Sequence, residues 1–248
     1  MAVADREPSA MPELSVVVPV FNERDNIVPL LTEIAGALRG RLDFEVVYVD
    51  DASRDDTLSV LRGARGDFPE LRVLHHTRQS GQSTAVWNGV RAARGRWVAT
   101  LDGDGQNDPA DISKLLAARD RAAPAVKLFA GWRTTRRDSF SKRLSSKIAN
   151  GVRARMLGDA TPDTGCGLKL FERETFLLLP YFDHMHRFLP ALVRRAGCGC
   201  ESVPVNHRPR TRGVSKYGLW DRLWVGIADL RGVAWLIRRA RVTGVEEL

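Results

Sequence analysis

Three apolar, β-branched runs each end in a short polar cluster, and this repeated juncture constrains the fold more than any other feature. Leu14-Ser-Val-Val-Val-Pro-Val20 runs into Asn22-Glu23, Phe44 to Val49 into Asp50-Asp51, and Trp97 to Leu101 into Asp102-Gly-Asp104. A continuous apolar run, rather than an alternating one, marks a strand covered on both faces, as in parallel sheets. Between the runs lie segments of helical character. Asn26 to Leu38 carries Ile27, Leu30, Leu31, Ile34 and Leu38 on one stripe. Asp55 to Leu61 reads as a helix capped by Ser53 or Asp55, and Gly81 to Ala93 as another that closes at Gly95. Leu71 to Leu74 and Val126 to Ala130 add two strands. Pro109 opens a helix to about Arg121, at the first position that proline favours. The alternation predicts an α/β protein with a parallel, doubly wound sheet over residues 13–132. Such sheets bind ligands beyond the carboxyl ends of their strands, and the three polar clusters all fall there.

After residue 132 the pattern changes. Arg133 to Leu157 reads as a basic helix, Gly165 to Phe171 as strand, Glu172 to Leu179 as a short helix and residues 201–206 as strand. A basic loop and a last helix, Leu219 to Arg239, follow.

Composition narrows the function classes. A chain of 248 residues that is 44% hydrophobic suffices for one α/β domain with a sizeable core. Lys and Arg total 38 against 30 Asp and Glu, a formal charge of +8, which points to anionic partners: nucleic acid, a membrane surface or phosphorylated substrates. No recognition element or aromatic-basic interleaving supports nucleic acid, and none is expected as a partner. Cys166, Cys198 and Cys200 are an odd, sparse set that fits a reducing compartment better than a disulfide framework. The N-terminal MAVADREPSAMPE has no apolar signal region, and no run reaches the ~18 apolar residues of a span. The longest candidate, Leu223 to Ile237, is interrupted by Asp229 and Arg231. A cytoplasmic enzyme, or one peripheral to the inner face of a membrane, is expected.

Asp102-Gly-Asp104 follows directly on a strand. Two carboxylates one residue apart in such a turn can face one hard cation, Mg²⁺ or Mn²⁺, shared with diphosphate oxygens, and Gly103 is expected to leave room for a ligand. A solvated turn is the plain alternative, since Asp and Gly are common turn residues. Asp50-Asp51 ends a neighbouring strand, where carboxylates can bind ribose hydroxyls or base N–H groups or simply favour a helix N-terminus. Gathered at one sheet edge, these charges repel unless a cation or ligand donors offset them.

VVVPVFNERDNI, VDDASRDDT and LDGDGQNDP resemble the motifs of family 2 glycosyltransferases with the GT-A fold. The subgroup they most resemble is the dolichol- and polyprenyl-phosphate sugar transferases. The resemblance runs from about residue 13 to residue 218 and implies a Rossmann-like, mostly parallel sheet with C-terminal amphipathic interface helices. It implies a catalytic domain over 13–218; the residues themselves read as a disordered leader over 1–12 and a membrane-associating helix over 219–248. By the same resemblance, Pro19, Phe21, Glu23, Asp50 and Asp51 cradle the nucleoside beside Asp102 and Gly103. Asp102, Asp104 and Gln106 hold the metal. The chain departs from the pattern in Gly105, where leucine is usual, and in Gln79-Ser80, where RN-x-G is usual, which bears on donor details.

Gly131-Trp132-Arg133 and Asp163-Thr-Gly-Cys-Gly167 resemble two further family elements and place Asp163 near the reaction centre. A lipid monophosphate is already ionised near neutral pH and needs no strong base, so Asp163 is expected to position the acceptor or metal rather than act as a base, with a plain turn aspartate as the alternative. The segment from Pro209 to Gly218 resembles the family's R-x-x-G-x-S-K-Y loop. Its Arg210, Ser215 and Lys216 are the expected phosphate contacts, Arg210 with a catalytic role beside Asp104 and Asp163. Arg133, Arg208 and Arg212 add to the cationic set that would hold an acceptor phosphate in line. Phe140, Leu144, Ile148, Val152 and Met156 recur every four positions among basic residues that include Arg153. That amphipathic pattern suits an anionic membrane interface, or a helix packed on the core. The resemblance makes Arg143 and Ser146 lipid-side candidates. Trp220 and Trp224 on the last helix, with Trp235 beside Arg238-Arg239, fit a headgroup region. Many relatives carry transmembrane helices beyond this point, so a separate integral membrane partner is admitted. The expected reaction is inverting transfer of a sugar from GDP-mannose or a UDP-sugar to a polyprenyl phosphate. A polysaccharide or soluble acceptor is the alternative.

Overall fold

The computed structural model describes residues 11–134, 151–159, 161–209, 219–240 and 246. Seven strands form one sheet: β1 (Leu14–Val20), β2 (Phe44–Asp50), β3 (Leu71–His75), β4 (Trp97–Thr100), β5 (Val126–Arg133), β6 (Lys169–Glu172) and β7 (Gly199–Val205). Their order is β3-β2-β1-β4-β6-β5-β7. β1 pairs in parallel with β2 and β4, β2 with β3, and β5 with β7. β6 runs antiparallel between β4 and β5. The wholly parallel sheet expected over 13–132 therefore holds for β1 to β4 and stops there. β5 does not lie beside β4, because β6 enters from later in the chain and separates them. A buried apolar run reports that a strand is covered, not which strand lies beside it.

Side chains alternate across the sheet and divide the core in two. Val16 and Val18 of β1 pack under α1 (Arg24–Leu38), α2 (Thr57–Ala64) and α4 (Ile112–Arg121), through Ile27, Leu31, Leu61 and Ile112. Val17 faces the other way, toward α3 (Gln82–Ala92), the helical residues 151–157 (α5), α6 (Arg173–Leu177), α7 (Leu189–Arg195) and α8 (Leu219–Arg239). Each fully buried Val, Leu, Ile or Phe contributes about 1.5–3 kcal/mol. The result is a three-layer sandwich, helices on both faces, with the ends of β1, β2 and β4 free to carry a site.

Several local expectations are corrected. Neither Ser53 nor Asp55 is the N-cap of α2: Asp56 takes that position without a side-chain cap. Asp55 accepts from Thr57 N at 3.0 Å, and the Ser53 hydroxyl accepts instead from Asn22 N at 2.8 Å. Pro109 opens a short 3₁₀ turn, Pro109–Asp111, before α4 begins. Arg133 is the last residue of β5 rather than the start of a helix. The strand expected from Gly165 is only Lys169–Glu172, because the preceding D-T-G-C-G segment turns back toward the sheet edge. The last helix lies where the pattern put it.

In α5 the apolar stripe faces outward: Val152 and Met156 are 49% and 40% exposed. Arg153 points inward instead, pairing with Asp159 at 2.8 Å and donating to Thr161 O at 2.7 Å. The stripe residues Phe140, Leu144 and Ile148 lie outside the described residues. On α8, Val233 and Ala234 are buried while Trp235 is 56% exposed with Arg239 over its ring. Arg195 of α7 donates to Leu236 O at 3.1 Å, and Asp229 pairs with His184 at 3.0 Å. Among the described residues no helix is long and apolar enough to cross a membrane.

Candidate active site

The parallel ends of β1, β2 and β4 bring the three polar clusters together. Asp51 N donates to Val20 O at 2.8 Å, joining the β2 exit to β1. Asp50 is fully buried, its oxygens bonded to His75 Nδ1 at 2.7 Å and Ser53 N at 3.2 Å. Asp51 holds the next connection: it accepts from Ser80 N and Gly81 N, both at 2.8 Å, and lies 2.7 Å from His76 Nδ1. The Asn88 amide lies 3.0 Å from His76 Nε2. With Asn88 donating there, Nδ1 of His76 is the nitrogen that donates to Asp51. The charges of this pair are thus met by histidine and backbone donors, and Asp51 fixes the loop that leads into α3. Asn22 and Ala52, both with positive φ, make the two turns facing each other. Glu23 accepts from Asn26 at 2.7 Å, and its N–H donates to Thr57 at 2.9 Å.

Asp102 and Asp104 occupy the turn after β4. Asp102 N donates to Asn107 Oδ1 at 3.1 Å, closing the turn, and Asp104 Oδ1 accepts from Gln106 N at 3.1 Å. The Asp102 carboxylate is oriented by Gln82 Nε2 at 2.8 Å. It also rests against Gly167, where a Cβ would meet Asp102 Oδ2 at 2.2 Å. Only glycine admits the carboxylate in that position. Gly103, expected to leave room for a ligand, leaves room for the sheet instead: a Cβ there would stand 2.4 Å from Val20 Cγ1. Burial and the neighbouring Asp104 charge raise the Asp102 carboxyl above its ordinary range, with Lys169, Gln82 and Arg133 opposing.

These residues fit a hard divalent cation. Two carboxylates share one turn, and their mutual repulsion is what such an ion relieves. Among the described residues no group of three or more His, Cys, Asp or Glu converges as a ligand set. An ion here would rest on this turn and on oxygens brought by a ligand. Gln106, expected to complete the metal set, points its amide nitrogen at Arg208 O, 3.4 Å away.

Asp163 and Arg133 form a bidentate pair, Nε to Oδ2 at 2.6 Å and Nη2 to Oδ1 at 2.9 Å. Burial alone would weaken the Arg133 charge, but Asp163 holds its pKa above the ordinary value. Gly165 N also donates to Asp163 Oδ1 at 3.2 Å. Arg208 pairs with Glu33 and, at 2.8 Å, with Asp108. Its N–H bonds to Gln106 O at 3.0 Å, and Asn107 and His207 form a bridge. The exit of β7 is thereby fastened to the acidic turn, and the basic loop starts beside it. Arg143, Ser146, Arg210, Arg212, Ser215 and Lys216 lie outside the described residues.

Three residues were missed. Gln82, Lys169 and His186 join Asp102 and Pro19 in one crevice. Lys169 is buried, and burial lowers its pKa. His186 lies 2.7 Å from Ser83 Oγ through Nδ1, and burial first, then Lys169 and Arg187, hold it well below the ordinary histidine value. They come from a helix, a strand and a turn far apart in sequence, so no local pattern joins them. The one available signal was a lysine within an apolar strand.

A model of glycosyl transferase family 2 matches residues 15–177. The dodecaprenyl-phosphate galacturonate synthase of Rhizobium johnstonii is 38% identical over 233 residues, covering 91% of this chain and 68% of that protein. The undecaprenyl-phosphate 4-deoxy-4-formamido-L-arabinose transferase of Edwardsiella ictaluri is 34% identical, covering 83% of this chain and 63% of its own. The chain thus spans about two thirds of the length of these relatives. Among solved structures, a mannosyltransferase from Pyrobaculum calidifontis in complex with GDP-Man and Mn²⁺ aligns with a TM-score of 0.67 at 23% identity, covering 96% of this chain and 67% of that one. Glucosyl-3-phosphoglycerate synthase from Mycobacterium tuberculosis, with Mn²⁺, UDP and phosphoglyceric acid, also aligns at 0.67, with 19% identity and coverage of 94% and 81%. These likenesses show the GT-A-like fold.

Proposed function

The chain belongs to glycosyl transferase family 2, and from that premise we propose that it transfers a sugar from a nucleotide-sugar donor to a polyprenyl phosphate at a membrane surface. The observation that carries this reading is the acidic turn Asp102–Asp104, clasped to the root of the basic loop through Gln106–Arg208 and Asn107–His207. That clasp holds the acidic turn beside the residues from which the basic loop departs. The two curated relatives differ in sugar and agree in a polyprenyl-phosphate acceptor, as their names state.

In this reading Asp102 and Asp104 hold Mg²⁺ or Mn²⁺, which when bound neutralises charge on the departing nucleoside diphosphate. Gln82 and Gly167 fix the Asp102 carboxylate before the donor arrives, so less ordering is left to binding. Asp51 sets the loop into α3, and Pro19, Phe21, Glu23 and Asp50 shape the nucleoside end. Asp163 does not remove a proton, because the acceptor phosphate is already ionised. It anchors Arg133, which is held ready for that phosphate together with Arg143, Ser146, Arg210, Ser215 and Lys216. A single in-line displacement inverts the anomeric centre. The outward Val152–Met156 stripe and exposed Trp235 offer apolar contacts for a lipid interface, which supports a peripheral position; in this reading that position is on the cytoplasmic face. A separate integral membrane partner is compatible with that position.

The test is a screen of labelled GDP- and UDP-sugars with undecaprenyl phosphate and Mn²⁺, read as label extracted into organic solvent. Lipid-linked label from one donor is expected. Transfer to a soluble or polysaccharide acceptor without lipid would overturn the acceptor assignment.

A further inference from the structure

The first turn of α3 is held from outside the helix, residue by residue. Its N-cap, Gly81, offers no side chain to the open backbone donors. Ser80 N and Gly81 N are held by Asp51 instead. The next three residues each reach a different partner. Gln82 Nε2 donates to Asp102 at 2.8 Å, Ser83 Oγ lies 2.7 Å from His186 Nδ1, and Thr84 Oγ1 lies 2.7 Å from the Tyr181 hydroxyl. Ser83 is buried, so water cannot replace a lost bond to His186.

His186 and Tyr181 belong to one segment, residues 181–187, between α6 and α7. That segment is itself fixed. His184 adopts a φ of 63°, which a non-glycine residue keeps only where its surroundings hold it. Its N–H donates to Asp183 at 2.8 Å, and its ring pairs with Asp229 of α8 at 3.0 Å. The Tyr181 ring packs on Trp87, further along α3, with centroids 5.2 Å apart. Two consecutive residues of α3 are thus clamped to a braced segment, and the residue before them holds Asp102. Partners behind a metal ligand set its orientation. We propose that His186 and Tyr181 are positioning residues for the metal site: by fixing the first turn of α3 they keep the Gln82 amide on Asp102, and so hold that carboxylate in the orientation that takes a divalent ion. The inference rests on the reading of Asp102 as a metal ligand given above.

Calorimetric titration of UDP and of GDP, each with Mn²⁺ and with chelator, reads the site without turnover. Wild type is expected to bind one nucleotide more tightly with Mn²⁺, and Asp102→Asn to lose that gain. Tyr181→Phe and His186→Phe should each lower the gain roughly 2- to 10-fold, the worth of one hydrogen bond, while binding in chelator stays as in wild type. His186→Asn, whose amide can stand where Nδ1 does, should restore most of it. Tyr181→Phe removes a single hydroxyl from a half-exposed side chain and keeps the ring, so it decides the matter if the His186 variants do not fold. An unchanged gain in the variants that fold would overturn the proposal and leave the metal reading standing. Equal losses with Mn²⁺ and with chelator would make the residues merely structural, and would overturn it as well. No Mn²⁺-dependent gain in wild type, or a gain that survives Asp102→Asn, would end the metal reading and the proposal together.

Discussion

At the residue scale, the site depends on close packing as much as on charge. Gly167 seats the Asp102 carboxylate so tightly that Gly167→Ala must displace it, a Cβ falling 2.2 Å from Oδ2. That variant should lose transfer about 100-fold, as expected for a displaced catalytic group, while circular dichroism stays native. The Arg133–Asp163 pair makes a second prediction. Asp163→Ala leaves a guanidinium whose side chain is only 14% exposed without its partner, and should cost about 3–5 kcal/mol. The Arg133→Met, Asp163→Ala double variant should recover part of that loss in thermal melts; equal loss would mean the pair is not coupled. The acidic residues were legible in the sequence because Asp102 and Asp104, one residue apart, directly follow a visible strand. Lys169, His186 and Gln82 were not, because only the folded sheet brings β6, the turn before α7 and α3 to one carboxylate. Gly103 was misread for a related reason: the side of it where a Cβ would stand is taken by Val20, a contact between the end of β1 and the turn after β4.

At the scale of elements, β1 to β4 were legible because each is a run of apolar residues ending in a polar turn. β6 was found but begun too early, and its place in the sheet was not legible, since KLFE is four residues long and its partners are set by antiparallel pairing with distant strands. What holds it is partly electrostatic: Glu172 at its end accepts from Lys127 of β5 at 2.9 Å and Arg96 beside β4 at 3.4 Å. Burial alone would raise the Glu172 carboxyl, yet Lys127, Thr175 and Arg96 bring it below the ordinary 4.5. A depressed carboxyl stabilises the fold above its unfolded pKa, and the benefit is lost as pH falls through the folded value. Glu172→Gln should therefore melt lower than wild type at neutral pH, with the gap closing as the pH drops below 4.5. A gap that persists in acid would show that the loss is one of packing rather than charge.

At the scale of the whole molecule, one face of the sheet end carries the acidic turn and the root of the basic loop, and α5 and α8 expose apolar side chains. The C-terminal helix was legible from its tryptophans and flanking arginines, whereas the inward turn of Arg153 was not, because its partner Asp159 lies past the end of the same helix. Trp235→Ser should weaken cosedimentation with vesicles containing anionic lipid several-fold without changing the melting temperature; unchanged partitioning would exclude α8 from the interface. The central claim is that Asp102 and Asp104 hold a divalent ion that makes sugar transfer to a lipid phosphate possible. The most direct measurement is lipid-linked label formed from the preferred donor and undecaprenyl phosphate, with Mn²⁺ or with chelator, by wild type and by the Asp102→Asn, Asp104→Asn double variant. The account predicts product only from wild type with metal; product from the double variant in the presence of chelator would contradict it.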